Sequence, residues 1–352
     1  MVYGSMKEHG TDGGSATVMV LGVLMFLAVL SLGAYLLTGQ SILHVAKRER
    51  EEMRRRMLIE SAEQVVDMLL NDPTPHADSM VDPVWDALQS FDKEKLSVSL
   101  KDISSLYGIN WVRKDVLIHS GTIQPGKSAD ELQQHRWETG PHLRLTPDFS
   151  AYIAEACLGA FFTPYSYFNP NICDEFALER LISTRTGDEI AAMEIRRRVQ
   201  EAWRESKPGK PRMIEADELD DMLGSHREAL FPLVNVEPAL NVHFVPREIL
   251  YQLFSFKYHD VPSERAQFII NTREQTEWSS AELESVIGEK YQKTFLHHYL
   301  GVMTWFWELQ VRYIDSEQVQ ATLRWVLAKV PQENGIYDTV EFRLIEEERS
   351  FE

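Results

Sequence analysis

Cysteine is scarce in this 352-residue chain, which contains two, Cys157 and Cys173. Two cysteines are too few for a disulfide scaffold, and their spacing does not fit a zinc site. They can form one disulfide bridge if the compartment is oxidising, or remain two buried thiols if it is reducing. Both alternatives stay open at the level of the sequence.

Basic residues are also in short supply. The chain has 36 Lys and Arg against 54 Asp and Glu, and its formal net charge is −18 at pH 7. Because contacts to phosphate groups need clustered cations, this balance argues against a nucleic-acid-binding surface. We therefore predict no nucleic-acid partner.

The familiar catalytic motifs are missing as well. The sequence contains no Gly-x-Ser-x-Gly, no phosphate-binding loop and no His-Glu-x-x-His. His297 and His298 are adjacent, so on a strand their rings would face opposite ways and could not share a metal ion. We predict that the chain is not an enzyme and requires no cofactor.

One cluster of carboxylates offers ligands of the kind that calcium prefers. The run at 217–221 contains Asp217, Glu218, Asp220 and Asp221. It lacks the glycine-turned loop of a dedicated calcium site, and it equally fits the solvated first turns of a helix. These four residues are the calcium candidates of the sequence.

A long apolar run occurs once, near the N-terminus. Residues 16–37 contain no charged side chain. At about 1.5 Å per residue the segment is about 33 Å long, enough to cross a bilayer core of about 30 Å. A secretory signal peptide has a shorter apolar region that ends at a small-residue cleavage site, whereas here a helical pattern follows at once.

The pattern that follows is typical of an amphipathic helix. Apolar and small residues recur at a spacing near 3.6, and the segment 71–75, with its two prolines, ends the pattern. The residues of this stripe are Ile42, Val45, Ala46, Met53, Met57, Leu58, Ser61, Ala62, Val65, Met68 and Leu69. The sequence thus predicts one continuous helix, its first half in lipid and its second half amphipathic.

A short leader that ends in glycine before such a helix resembles the N-terminus of type IV pilins and type II secretion pseudopilins. The resemblance implies cleavage by a prepilin peptidase between Gly14 and Ser15. Members of this family usually carry Glu at the fifth mature position, where this chain has Met19. The minor pseudopilins of the K class lack that Glu, which a subunit at the filament tip can do without. The chain therefore resembles the K class.

The cations on either side of the apolar run bear on the topology. The Lys and Arg residues of 47–56 outweigh Lys7, the cation of the leader, so the positive-inside rule would place the large domain in the cytoplasm. The resemblance implies a periplasmic domain instead, held by a single pass through the bacterial inner membrane. We take the periplasmic topology as the prediction.

A strand and a turn follow the helix. Leu96, Val98 and Leu100 alternate with polar residues, which predicts a half-buried strand within 95–110. K-class pseudopilins carry an Asp-Ser-Leu-x-Asp-x-Trp stretch here, and then a strand that leads into an Asp-x-x-Gly-x-Ile-Asn turn. The matching residues are Asp78, Ser79, Asp82, Trp85, Asp102, Gly108, Ile109 and Asn110.

The middle of the chain is predicted to be helical and contains an internal repeat. The paired residues are Asn169 with Asn241, Leu178 with Leu250, Leu181 with Leu253, Ala191 with Ala266, Arg198 with Arg273, Trp203 with Trp278, Leu219 with Leu283, and Gly224 with Gly288. Each copy resembles a helix-hairpin-helix element. DNA binding by such an element needs a glycine-containing hairpin among cations. The first hairpin here has one Gly beside acids and the second has none.

The last part of the chain alternates with period two over 299–314, 319–330 and 336–348, with short turns between. This pattern predicts an antiparallel meander, and K-class pseudopilins end in the same way. The predicted fold class is α+β: a pilin-like long N-terminal helix packed on a small antiparallel sheet, with a large inserted all-α domain.

The predicted organisation follows from these segments. They are the leader 1–14, the transmembrane half of the helix 15–38, its amphipathic half 39–72, the pilin-like body 73–110 and 294–352, and the inserted helical domain 111–293 with repeats at about 169–224 and 241–288.

The resemblance implies a structural subunit that caps the tip of the periplasmic pseudopilus of a type II protein secretion system. Its partners would be minor pseudopilins of the I and J classes, the prepilin peptidase and the inner-membrane secretion platform, and calcium binding is compatible with this role. Two alternatives stay open. They are a single-pass signal-anchored binding protein that never enters a filament, and a membrane-anchored helix-hairpin-helix DNA-binding protein.

Overall fold

The computed structural model describes residues 12–91, 95–140, 147–206, 212–255, 264–288, 294–316, 318–332, 337 and 339–351. The chain divides into two units, one up to Met57 and one from Leu58 onward. A long N-terminal helix, a small antiparallel sheet and several shorter helices make it a mixed α+β fold. The predicted fold class is confirmed to that extent.

Two helices come first, short strands then separate groups of helices, and four strands follow the last helix. The helices are α1 (Asp12–Leu70), α2 (Pro83–Gln89), α3 (Lys114–Ser120), α4 (Ala129–Thr139), α5 (Glu175–Thr186), α6 (Glu189–Glu205), α7 (Ala216–Leu223), α8 (Arg227–Leu230), α9 (Arg247–Ser255), α10 (Glu264–Thr272), α11 (Ser280–Ile287) and α12 (Leu296–Tyr299). The strands are β1 (Leu96–Asp102), β2 (Tyr107–Gly108), β3 (Phe162–Thr163), β4 (Leu240–Asn241), β5 (Leu300–Gly301), β6 (Phe306–Asp315), β7 (Gln318–Lys329) and β8 (Phe342–Phe351).

Helix α1 ends at Leu70, just before the predicted stop. Its last turns bury one stripe at the spacing of a single helix face. The buried stripe consists of Leu58, Ala62, Val65 and Leu69. The predicted stripe started earlier, but Ile42, Val45 and Met53 are exposed. The second unit includes the helix only from Leu58, so the amphipathic half stays a prediction over the residues before Leu58.

The four-stranded sheet has the order β1-β6-β7-β8, and every neighbouring pair is antiparallel. Because side chains alternate across a pleated strand, one face collects the apolar residues. That face contains Leu100, Trp307, Leu309, Val311, Tyr313, Ala321, Leu323 and Leu327, all buried. The β6–β7 hairpin turns at Ser316, whose φ of 52° is of the kind that a tight hairpin requires.

The predicted strand over 299–314 was wrong in its first half. Strand β5 is short, and β6 begins only at Phe306. Between them the backbone bonds to other parts of the chain: the Asp78 amide donates to the Val302 carbonyl, and the Trp305 amide donates to Ser104 Oγ. Those groups are therefore not available to a regular ladder over this stretch. The third predicted strand, 336–348, is β8, which starts and ends later.

The helices of the middle segment are capped by their own side chains. Ser128 with Glu131 and Ser279 with Glu282 form capping boxes at the starts of α4 and α11, and Asp174 caps α5. Each cap accepts hydrogen bonds from backbone N–H groups that the first helical turn leaves without a partner. The polar residues at these positions therefore fix where each helix begins.

Asn169 and Asn241, which open the two predicted repeat copies, have the same local geometry. Both are buried, and each side-chain oxygen accepts a hydrogen bond at 2.9 Å from the backbone two residues ahead, at Asn171 or His243. The asparagine thus mimics one step of a backbone turn in both places.

The predicted copies differ farther along. Arg198 is exposed beside Glu194 at 3.3 Å, whereas Arg273 donates to the carbonyl of Val245 at 2.5 Å. The two side chains thus make different contacts, and the pairing of Arg198 with Arg273 stays a prediction. The second predicted hairpin lies largely at 256–263, outside the described residues, and the repeat as a whole stays a prediction.

A single hydrophobic core crosses the predicted limits of the inserted domain. It joins Ile109 and Tyr299, from either side of the insertion, to helical residues such as Leu178 and Leu250. A second, smaller cluster packs Tyr167 against Trp305 and its neighbours. The helical segment and the strands are therefore parts of one packed unit.

Candidate functional site

The N-terminal segment is the most exposed apolar surface of the described chain. Every large apolar side chain between Val18 and Leu37 is 52% to 76% exposed. By length and composition, α1 is able to cross a membrane, and none of its apolar window is buried. Since soluble proteins rarely leave an apolar surface of this size in water, the segment is suited to a lipid or protein surrounding.

The predicted cleavage point lies at the start of this helix. Gly14 and Ser15 belong to the backbone of α1, but their side chains and residues 1–11 of the leader lie outside what the structure describes. Cleavage between them stays a prediction.

The basic run at 47–56 follows the apolar segment and carries its own counter-charges. Lys47 lies 3.7 Å from Glu51, and Glu52 lies 3.8 Å from Arg55 and 3.5 Å from Arg56. These are exposed pairs within one helix, each worth a few tenths of a kcal/mol at most. The run is thus a solvated helical surface of mixed charge.

A buried ion pair lies where the end of β7 meets the chain that follows α1. Lys329 Nζ is 2.8 and 2.9 Å from the two carboxylate oxygens of Asp78, which also accepts from the Thr304 amide at 2.7 Å. Burial raises the pKa of Asp78, although Lys329 and the Thr304 amide lower it. The contacts with Lys329 and the Thr304 amide therefore stabilise the charged form of Asp78 against the cost of burial.

Asp102 and Asn241 extend this pair into a network. Asp102 accepts from the backbone and side chains of Ser104 and Ser105, and from Thr304 Oγ1 at 2.9 Å. Asn241 Nδ2 donates to the Asp78 carbonyl at 2.8 Å and to Thr304 Oγ1 at 3.0 Å. We call Asp78, Asp102, Asn241, Thr304 and Lys329 the buried polar junction. It ties the first strand, the helical segment and the last strands together.

The remaining motif residues also make contacts within the chain. Asp82 accepts from Ser79 at 2.6 and 2.7 Å, and Trp85 Nε1 donates to the Ser79 carbonyl at 2.6 Å. Burial raises the pKa of Asp82 to about 6. The motif thus folds its own loop, with Ser79 at the centre.

The turn at 108–110 is built around tight packing. A Cβ on Gly108 would lie 1.9 Å from the indole nitrogen of Trp111, so only glycine fits there. The Ile109 amide donates to the Thr163 carbonyl at 2.8 Å, and Asn110 donates to the Pro164 carbonyl at 3.4 Å. The turn therefore has a structural role.

The four calcium candidates lie on α7 and do not converge. Glu218 pairs with Arg212 at 2.6 Å, and Asp220 pairs with Arg227 at 2.6 Å. Asp217 and Asp221 are exposed. Two of the carboxylates are thus already bound by arginines, and calcium binding stays a prediction.

Among the described residues, a different set of carboxylates does come close together: Asp72, Asp78 and Asp82 have oxygens within 4.8 Å of one another. Each already has a partner: Asp72 accepts from Thr74 at 2.9 Å, Asp78 pairs with Lys329, and Asp82 bonds Ser79. The sequence reasoning missed this proximity because the three residues belong to a loop without a regular spacing.

Cys157 and Cys173 are free thiols in the structure, and a disulfide between them stays a prediction. Cys173 is fully buried and Cys157 is half-buried. Burial raises the pKa of Cys173 well above its ordinary value, which makes that thiol unreactive. Neither thiol forms a site.

The histidine pair lies on α12 and not on a strand, so that expectation was wrong. The two rings are 5.4 Å apart. His298 is buried, with Nδ1 3.2 Å from the Val236 carbonyl, and burial lowers its pKa to about 3. A neutral ring held in this way fills the core.

Glu237 is a half-buried carboxyl whose pKa burial raises from 4.5 to about 7. In the unfolded chain the pKa returns to its ordinary value, so stability is lost as the pH rises through about 7. We expect Glu237→Gln to increase the free energy of unfolding above about pH 7, with no difference below about pH 4.5, where both states are protonated. Urea unfolding at the two pH values measures this effect. Glu228→Gln at an exposed position is the matched control, and an equal effect there would contradict the assignment.

No family model and no curated protein matches this sequence. Among solved structures, a chain from the crystal structure of the GspK-GspI-GspJ complex of the enterotoxigenic Escherichia coli type 2 secretion system is similar to it. The similarity covers 87% of this chain and 100% of that chain, at 12% identity and a TM-score of 0.32. That score is too low to establish a shared fold, so function must come from the residues themselves.

Proposed function

We propose that this chain is a minor pseudopilin of the K class, a non-enzymatic subunit that caps the periplasmic pseudopilus of a type II secretion system. The observation that carries the proposal is α1, a single helix whose first part is apolar and exposed and whose last part, from Leu58, buries one apolar stripe. A simple membrane anchor does not require a helix that continues into the core.

The proposed mechanism is an exchange of surroundings. In the inner membrane, the side chains of 18–37 contact lipid. On assembly, the same side chains pack among the helices of other subunits, so their apolar surface stays out of water throughout. The exposed Ile42, Leu43 and Met53 would be covered in the same step.

The proposed partners follow from the resemblance to the K class. They are the minor pseudopilins of the I and J classes, the prepilin peptidase and the inner-membrane secretion platform. The place at the tip is supported by Met19, since a subunit with no neighbour above it needs no carboxylate at that position. No cofactor is part of the proposal.

N-terminal processing tests the proposal. In cells with an active prepilin peptidase, we expect the membrane-extracted chain to begin at Ser15, and in cells without the peptidase to begin at Met1. Gly14→Leu should prevent the cleavage, whereas Gly13→Leu, one residue earlier, should leave it nearly unchanged. N-terminal sequencing reads both results. A chain that begins at Met1 in both strains would refute the pseudopilin assignment.

A second candidate is a signal-anchored protein with its large unit in the cytoplasm, which the basic run at 47–56 favours under the positive-inside rule. A reporter fused after residue 72 separates the two candidates. Activity of a periplasmic reporter supports the pseudopilin, and activity of a cytoplasmic reporter supports the second candidate.

A further inference from the structure

A groove with a mostly apolar lining opens between the last turn of α1 and helix α2. Its volume is about 240 Å³, and it lies within the second unit. Met68, Val84 and Ala87 are among its six apolar lining residues, and Asp72 and Asp82 are the charged ones. No described lysine or arginine lines it. The groove thus combines an apolar floor with two carboxylates.

The two carboxylates of the groove lack a counter-charge. Residues 57–91, which supply the whole lining, contain seven Asp and Glu and no Lys or Arg. Lys329 comes near, but it contacts both oxygens of Asp78, so that pair is already neutral. Burial raises the pKa of Asp82, and the charge of Asp72 raises it further. A cation between Asp72 and Asp82 would relieve this repulsion.

The cations of the neighbouring strand β1 are directed elsewhere. Lys101 is paired with Glu308, so it lies on the opposite face of the sheet from Trp307. Helix α2 packs on the Trp307 face, where its Trp85 ring lies 6.0 Å from the Trp307 ring. Lys95 pairs with an aspartate at the end of β6 at 3.6 Å. Neither lysine therefore balances the charge of the groove.

The hydrogen bonds already made by the two carboxylates select the kind of cation. Asp72 accepts both bonds from Thr74 on Oδ1, at 2.9 and 3.2 Å, and its Oδ2 has no hydrogen bond among the described residues. In Asp82 each oxygen already accepts one bond from Ser79. A guanidinium fork prefers two free oxygens of one carboxylate. An ammonium group is a compact donor on a flexible stem, so it can use Asp72 Oδ2 together with a remaining lone pair of Asp82.

We propose that this groove binds a lysine side chain of another protein, with its stem on Met68, Val84 and Ala87 and its ammonium group between Asp72 and Asp82. Lysine stems commonly lie along apolar surface while the charged end contacts polar atoms. A calcium ion is a poorer occupant, because it takes about six to eight oxygen ligands, and the apolar floor supplies none. The inference does not depend on the proposed function.

The methyl group of Met68 lies in the groove and reports its occupancy by NMR. The test uses the full-length chain in non-ionic detergent, isotope-labelled at its methionine methyl groups, with Met68→Leu to assign the signal. The probes are N-acetyl-lysine methylamide and N-acetyl-norleucine methylamide, which has the same stem without the ammonium group. We expect the lysine probe to shift the Met68 signal saturably and the norleucine probe to bind at least roughly fivefold more weakly. The signal of Met193, which is 46% exposed on α6, should not move with either probe.

Matched protein variants locate the binding. Asp72→Asn keeps an oxygen that accepts from Thr74 but removes the charge, so it should fold normally and weaken the lysine probe roughly fivefold. Asp86→Asn makes the same change at an exposed position of α2 outside the groove lining, and it should leave the affinity unchanged. Equal losses in both variants, equal affinities of the two probes, or no shift of the Met68 signal would overturn the proposal. Displacement of the lysine probe by calcium chloride, or tighter binding of N-acetyl-arginine methylamide, would overturn it as well.

Discussion

Replacing Lys329 by methionine is expected to lower the free energy of unfolding by about 3–5 kcal/mol. Lys329 is 1% exposed, and its ammonium group is the counter-charge of Asp78. Methionine keeps most of the volume but leaves a carboxylate in the core without a partner. Urea unfolding of the full chain in detergent, followed by tryptophan fluorescence, measures the loss.

The pH dependence of this variant identifies the cause. Without Lys329 the pKa of Asp78, already raised by burial, rises further. A carboxyl with a raised pKa in the folded state costs stability as the pH rises through that pKa, so the deficit should shrink as the pH is lowered. A deficit independent of pH would indicate lost packing instead.

A double variant provides the matched control. Asp78→Asn removes the charge but keeps an oxygen that can accept from the Thr304 amide. Combined with Lys329→Met, it should recover a large part of the lost stability, because no unpaired charge stays buried. A double variant as unstable as the sum of the two single ones would show that the ion pair is not the reason.

The buried polar junction marks the limit of what the sequence could predict. Asp78 and Asp102 are recognisable as positions of a motif, but Lys329, the partner of Asp78, lies 251 residues after it. A lysine at the end of an alternating strand is indistinguishable from a solvated one by pattern. Long-range polar pairs leave no periodic signal, so only the fold reveals them.

Features with a regular spacing, in contrast, were predicted well, because the spacing can be seen in the sequence. The apolar run, the continuous helix and the strands β1 and β7 each repeat at a spacing that one local conformation imposes. The prediction of a strand over 299–314 was wrong in its first half. There the Val302 carbonyl accepts from the Asp78 amide, and the Trp305 amide donates to Ser104 Oγ. The alternating pattern of these residues arises because their side chains are buried on both sides of the chain. An irregular loop can be buried in this way as well as a regular strand.

Trp307→Ala is expected to cost about 3–5 kcal/mol of unfolding free energy. The Trp307 ring is almost fully buried, with centroids 6.0 Å from Trp85 and 5.6 Å from Phe244. These rings come from β6, from α2 and from the chain before α9, so the cavity would open where three segments meet. Urea unfolding measures the loss.

Phenylalanine variants separate ring packing from hydrogen bonding in this cluster. The indole nitrogen of Trp307 has no hydrogen-bond partner among the described residues, so Trp307→Phe loses only part of the ring contact. Trp85→Phe also removes the 2.6 Å hydrogen bond to the Ser79 carbonyl, worth about 1 kcal/mol. We therefore expect Trp85→Phe to be destabilising mainly because it loses the hydrogen bond to the Ser79 carbonyl. Trp307→Phe should be destabilising only because it loses packing contacts. Adding Ser79→Ala, which keeps that carbonyl, should leave the Trp85→Phe cost unchanged, and a cost that disappears would contradict the assignment.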